Sequence, residues 1–532
     1  MQQHNVSIHN LRENIFFYLL IVTAIFFPFS EALVSISIAL LFLQALALRL
    51  WHHPSVITRS WKTVVFPLSV FGIYLIGVLF TNDITFAFYE LRKVVFWIVL
   101  PLAVFLSPKL PDKRIYIVFL SFIISVITAS FIITGKLILH DFFQEEGFRN
   151  FSFVSHIRFS FQVVLALILL AWFIIRNKNL NFNSYRYLLI ACFLWLIYFL
   201  ILLKSLLGII SFLGTFIISL IYFAGKFKNT TWKKLLLIFI LFMVLLPAIF
   251  IGNVLNDFYN FKPVDPVRVE TKTLSGNFYH HDFENGAREN GYLVNVYVCD
   301  EELRNEWNKR SDIKYDDLLN GFPLSSTLIR YMTSQGYRKD SVGVSQLTSD
   351  DIKMIEEGVT NYKFRNRFFS IYPRIYETVW ELDHYFRTGD PNNKSLAQRI
   401  EYVKASLILI KENPLFGIGT GNWVLKYNEA YDKMETQLAK EKRGPSHNQY
   451  LNYMVKFGIV GFIIILLAIL IPVFREGHHR NFVFVLFLIS IALANFGDSN
   501  LETHMGLSFF TFFYSLFLWN STSDMKTSIL KK

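Results

Sequence analysis

The chain has 532 residues, of which 53% are hydrophobic, 17% are charged and 56 are phenylalanine. A soluble chain carries about a quarter charged residues, so the composition excludes a disordered protein and argues against an ordinary water-soluble enzyme. The two cysteines, Cys192 and Cys299, exclude a disulfide framework and a cysteine-rich zinc site, while the net charge of +12 needs a reason of its own.

About 20 apolar residues are needed to cross a bilayer as a helix. Twelve runs approach that length: 13–30, 32–50, 63–81, 86–107, 114–135, 158–175, 186–203, 205–224, 234–252, 449–474, 481–498 and 503–520. The first has no small-residue cleavage site and a second run follows at once, so it reads as a helix and not a signal peptide. The expectation is an all-α polytopic membrane protein of about 12 transmembrane helices. It has three parts: 1–252 with about nine spans, 253–448 with ordinary soluble composition, and 449–532 with about three spans and a tail.

Orientation follows from lysine and arginine in the short loops. With the amino terminus inside, nineteen of them fall in inner segments. Six fall outside: Arg92, Lys93, Lys136, Arg149, Arg158 and Lys204. Both termini are thus expected to be cytoplasmic, and 253–448 to be one large, mainly helical periplasmic loop. The same bias explains the net charge without invoking nucleic acid.

Within that loop, residues 292–299 read as a short strand. Thr348 to Asp351 reads as the cap of a helix that stops at Gly358. Ser395 and Gln398 have capping-box spacing. Apolar residues then recur at helical spacing until Asn413-Pro414.

Ser446 and Gln449 repeat the capping-box spacing just before the tenth run, which would place His447 in the first turn of a membrane helix. The positive end of a helix dipole favours neutral imidazole, the form a general base requires. The bland alternative is an interfacial histidine. The outer cations Arg158, Lys204, Arg92 and Lys93 oppose the usual bias; they read either as snorkelling side chains or as a cationic pocket for an anionic head group. Arg399 stands in the first turn of its helix, where a cation opposes the dipole. Asp498, Glu502 and His504 cluster in the last outer connection, as a solvated loop or as groups that orient His447 or an acceptor hydroxyl. Gly417-x-Gly419-x-Gly421 follows a helix and reads as a turn more readily than a phosphate loop. Gly458 and Gly461 suit close helix packing. HExxH is absent, and no histidine spacing forms a metal pattern.

NPLFGIGTGNW (413–423) followed by PSHNQYLNYMVKFGIVGF (445–462) resembles the signature of the O-antigen ligase and polymerase superfamily. The stretches 289–311 and 395–403 look like the version found in Bacteroidota-type bacteria. The resemblance implies a C-type membrane glycosyltransferase that needs no metal or other cofactor. Its donor would be a glycan on undecaprenyl diphosphate, and its acceptor lipid A core or a growing glycan, in the bacterial inner membrane. The family's loop histidine matches His447, followed by Asn448, and its loop arginine matches Arg399. The family commonly carries Ser-Arg-Gly or Ser-Arg-x-Gly where this chain reads Lys204-Ser205-Leu206-Leu207-Gly208. The charge missing at Leu206 is expected from Lys204 or Arg158, beside Arg399, Arg92 and Lys93, in a diphosphate site.

Within the family, the alternatives to a ligase are a polymerase or a protein O-glycosyltransferase. Outside it, the rival is a glycolipid transporter, for which broken helices and deep ionisable groups are expected.

Overall fold

The computed structural model describes residues 2–50, 60–139, 151–180, 185–319, 321–366 and 370–520, with the side chains of 2–12, 48–50 and 177–180 excepted. Arg149 lies outside the described residues. The described chain is mostly helical, and two compact units divide it: 1–236 with 398–532, and 237–397.

Six described helices are long and apolar enough to cross a membrane: Trp61–Val78, Asp112–Leu139, His156–Arg176, Leu206–Ala224, Thr230–Tyr259 and Gln449–Arg475. Shorter apolar helices include Glu13–Phe26, Glu31–Ala47, Arg186–Leu202, Phe482–Ala494 and His504–Trp519. The run 86–107 is not one helix. It divides into Ile84–Lys93 and Phe96–Leu106, with Val94 and Val95 between them. Asp83 caps the first piece by accepting from the Phe86 amide, and Glu90, Arg92 and Lys93 interrupt the apolar run near its end.

In the first unit, the helix His504–Trp519 is buried at every residue from Met505 to Trp519. A helix that is apolar on all sides belongs inside a bundle. Its phenylalanines build an aromatic core. Phe509 meets Phe27 edge-on at 5.5 Å, and Phe513 meets Phe122 at 4.8 Å. Edge-to-face pairs of this kind contribute about 0.5–1.5 kcal/mol each beyond burial. Much of the phenylalanine content therefore specifies how this bundle packs.

The helix Gln449–Arg475 breaks at Gly458, whose φ of 63° is left-handed. The loop 414–421 fills the break. Ile459 and Val460 donate to the carbonyls of Pro414 and Leu415, while Ile418 and Gly419 donate to those of Val455 and Lys456. A Cβ at Gly458 would lie 2.2 Å from the Leu415 carbonyl carbon, and one at Gly417 2.4 Å from that of Lys456. Both glycines are thus required by backbone approach, which differs from the helix–helix packing expected for Gly458.

The second unit has its own core around Trp307, Leu328, Tyr331 and Tyr376, joined by Val254 and Phe258. The expected cap of Ser349–Glu356 is a capping box formed by Thr348 and Asp351, and Gly358 follows with φ 82°. The strand over 292–299 shrinks to Tyr292–Leu293, paired antiparallel with Arg288–Glu289.

Lys339 of this unit is 3% exposed, and burial pulls its pKa down to about 7 against the opposing Asp340 charge. The unfolded chain binds that proton up to about pH 10. The destabilisation is therefore complete below about pH 7 and fades as pH rises toward 10. Lys339→Met should raise the thermal midpoint in detergent, and by more at pH 6.5 than at pH 9.5. Equal gains at both pH values would contradict a buried, proton-shedding lysine.

Candidate functional site

The segment leading to His447 is pinned by tyrosines. The phenol of Tyr402 donates to the Lys442 carbonyl at 2.8 Å, that of Tyr431 to Gly444 at 2.6 Å, and that of Tyr427 accepts from the Ser446 amide at 3.4 Å. The helix cap differs from the one the spacing suggested. Asn448 is the N-cap, and its Oδ1 accepts from the amides of Tyr450 and Leu451. Ser446 instead donates to Asn452, and Gln449 accepts from the Leu501 amide. Asparagine outcompetes serine here because its carbonyl reaches two free amides from the extended residue before the helix. His447 consequently stands just ahead of the cap, not in the first turn.

The imidazole of His447 is half exposed, with Nδ1 3.6 Å from Oδ1 of Asp498. Burial acts to raise the Asp498 pKa. The nearby His447 ring, the charge of Arg158 and the Ser499 amide prevail and hold the carboxyl below its ordinary value. Asp498 therefore presents a carboxylate beside Nδ1 of His447, with Nε2 on the opposite side of the ring. The ring of Tyr402 lies 5.7 Å from that of His447. Arg399, half-buried one turn before Tyr402, opposes the upward push of burial on that phenol.

Arg158 joins this pair to a cleft. Its Nε donates to Thr503 at 3.1 Å. The side chains of Arg92, Lys93, Arg158, Glu31, Glu502 and Thr503 line a cleft of about 670 Å³. Arg92 is exposed, with its guanidinium 5.7 Å from the Tyr89 ring centre. Lys93 pairs with Glu90 at 2.6 Å. Neither Lys204 nor Arg399 is among the cleft walls. Lys204 occupies the turn before Leu206–Ala224 with a φ of 50°, next to Ser205, which bonds Ser160 at 3.0 Å.

Glu502 faces inward. Its carboxylate accepts from Tyr74 at 2.9 Å, Lys456 at 2.8 Å and Asn452 at 3.1 Å. Lys456 also reaches Glu90 at 2.8 Å. The sequence reading passed over Lys456, Glu90, Tyr74 and Asn452. A lysine eight residues into an apolar run is the signal that was available. The amides of residues 417–421 are all engaged: with Asn413, Val455, Lys456 and Gly77 carbonyls and with Oγ1 of Thr81. That loop is a structural clasp, as expected, with no amide left for a phosphate.

A model of the O-antigen ligase family matches residues 347–466, which contain Arg399, His447 and Asn448. An uncharacterized protein of Haemophilus influenzae is 39% identical over 90 residues, covering 15% of this chain and 21% of that one. The chain thus spans about a fifth of the length of the curated relative it matches. Over residues 347–466, therefore, the chain is similar to the O-antigen ligase family.

Proposed function

We propose that the protein is an O-antigen ligase-type enzyme that moves a glycan from undecaprenyl diphosphate to a hydroxyl of lipid A core. The observation that carries this reading is the path from His447 through Asp498 and Arg158 into a cationic cleft. In the reaction, Nε2 of His447 takes the acceptor hydroxyl proton. The acceptor oxygen attacks the anomeric carbon from the face opposite the diphosphate. The carbon–oxygen bond to phosphate breaks, and the electron pair leaves with the diphosphate, inverting the anomeric centre. Arg158, Arg92 and Lys93 stabilise the negative charge that develops on the leaving group. Arg399 and Lys204 are assigned to the outer parts of the same lipid-linked donor. With cations in that role, the chemistry needs no metal.

The transporter rival calls for a broken helix and deep charges, and the chain has both, at Gly458 and Lys456. The break is filled by the loop 414–421, and Lys456 is held by two carboxylates. Neither feature leaves a vacant polar site for cargo, which favours the enzyme.

On this reading the site faces the periplasm from the inner membrane, and both termini are cytoplasmic. A reporter active only in the periplasm should be active when fused after Gly336 and silent after Trp519. The reverse pattern would sink this placement. A deletion strain tests the activity. Loss of a ligase leaves long polymer on the carrier lipid and bare core. Single repeats attached to core would instead identify a polymerase, and loss of glycan from protein alone a protein O-glycosyltransferase.

A further inference from the structure

His447 and Asp498 come from segments about fifty residues apart, and their backbones are tied by one side chain. Oδ1 of Asn452 accepts from Ser446 at 2.7 Å, and Nδ2 donates to Oγ of Ser499 at 2.8 Å. Ser446 immediately precedes His447, and Ser499 immediately follows Asp498. Oγ of Ser499 closes the loop by donating to the Ser446 carbonyl at 3.0 Å. The Ser499 amide donates at 2.9 Å to Oδ1 of Asp498, the oxygen that faces His447. Asn452 is 2% exposed. Its Nδ2 is also anchored from below by Glu502, which Lys456 and Tyr74 hold in turn. Each polar atom of the amide thus has a partner, which fixes its orientation.

We propose that Asn452 is a positioning residue that sets the spacing of the His447–Asp498 pair by bridging Ser446 to Ser499. This rests on the reading of His447 as the general base. It adds that the base is placed by the strut beneath it, and not by the helix cap. The Asn448 side chain caps the helix, bonding Tyr450, Leu451 and Phe496; its backbone carbonyl, not its side chain, accepts from Oγ of Ser446 at 3.2 Å. Asn452 is not itself part of the cleft lining; it meets that lining through Glu502, whose carboxylate keeps Tyr74 and Lys456 when Asn452 is lost, so donor binding should change little. A misplacement of about 1 Å in a catalytic pair costs up to roughly a hundredfold in rate.

Two measurements on the full-length protein in detergent test this. In the first, Cys192 and Cys299 are replaced by serine, His447→Cys and Asp498→Cys are introduced, and a short bifunctional thiol reagent reports how readily the two positions bridge. Adding Asn452→Ala should slow bridging several-fold, and Ser499→Ala, a milder change at the same strut, should slow it less. Unchanged bridging in both would overturn the proposal, whatever the activity. In the second, glycan transfer is followed in Asn452→Ala. Turnover should fall on the order of ten- to a hundredfold, with KM for the lipid-linked donor unchanged. In an Asp498→Asn background the same change should cost little, because the pair it positions is already gone. Full additivity of the two changes would show that Asn452 acts elsewhere and overturn the proposal. Slowed bridging in a protein whose wild type transfers no glycan would refute the assigned function and leave the strut intact.

Discussion

His447→Gln should abolish glycan transfer while leaving the protein folded and inserted. Glutamine keeps the size and hydrogen-bonding capacity of the side chain but cannot hold a proton at neutral pH. A general base contributes about 10²–10⁴ in rate, so turnover should fall by about that factor and lipid-linked donor should accumulate. Folding should be spared because the imidazole is half exposed and Asn448, not His447, caps the helix. Purified variants compared at equal expression make the measurement. Near-wild-type turnover in His447→Gln would remove the base and leave a mechanism driven by the cleft cations alone.

Lys456→Met should produce the largest loss of stability. The ammonium is 5% exposed and pairs with Glu90 and Glu502, 0% and 7% exposed. Removing one partner of a buried ion pair costs about 3–5 kcal/mol, because the charge left behind has no solvent. The two carboxylates should not suffer equally. Glu90 retains Lys93 at 2.6 Å, whereas Glu502 keeps only the neutral donors Tyr74 and Asn452 among its hydrogen bonds. Adding Glu502→Gln should therefore restore more of the thermal midpoint than adding Glu90→Gln. Equal rescue, or a Lys456→Met protein that melts with the wild type, would contradict this account of the buried chain.

Much of the helical layout was legible because apolar runs of membrane length have few other readings. The cap at Thr348 was legible because its bonds are local. The His447-Asn448 motif was legible as a motif, but not the roles inside it. Spacing alone could not decide whether Ser446 or Asn448 caps the helix, since both are good caps and the choice depends on Asn452 taking the serine hydroxyl. The break at Gly458 was hidden because glycine is ordinary in membrane helices. Its left-handed conformation depends on a loop forty residues earlier in the chain. The division at Val94 was foreshadowed by Glu90, Arg92 and Lys93, which interrupt an otherwise apolar run. Asp498 read either as a solvated loop residue or as a group that orients His447, and its neighbours in sequence could not decide between the two. The fold sets it beside His447 and adds the Arg158 charge, which nothing in the sequence had linked to it.

The proposed reaction breaks the bond between glycan and carrier lipid. Purified protein in liposomes, given an undecaprenyl-diphosphate-linked glycan and a lipid A core acceptor, tests it directly. The account predicts release of undecaprenyl diphosphate and a product with inverted anomeric configuration, at a rate unchanged by chelator. Movement of intact lipid-linked glycan across the bilayer, with no cleavage of the anomeric bond, would contradict it.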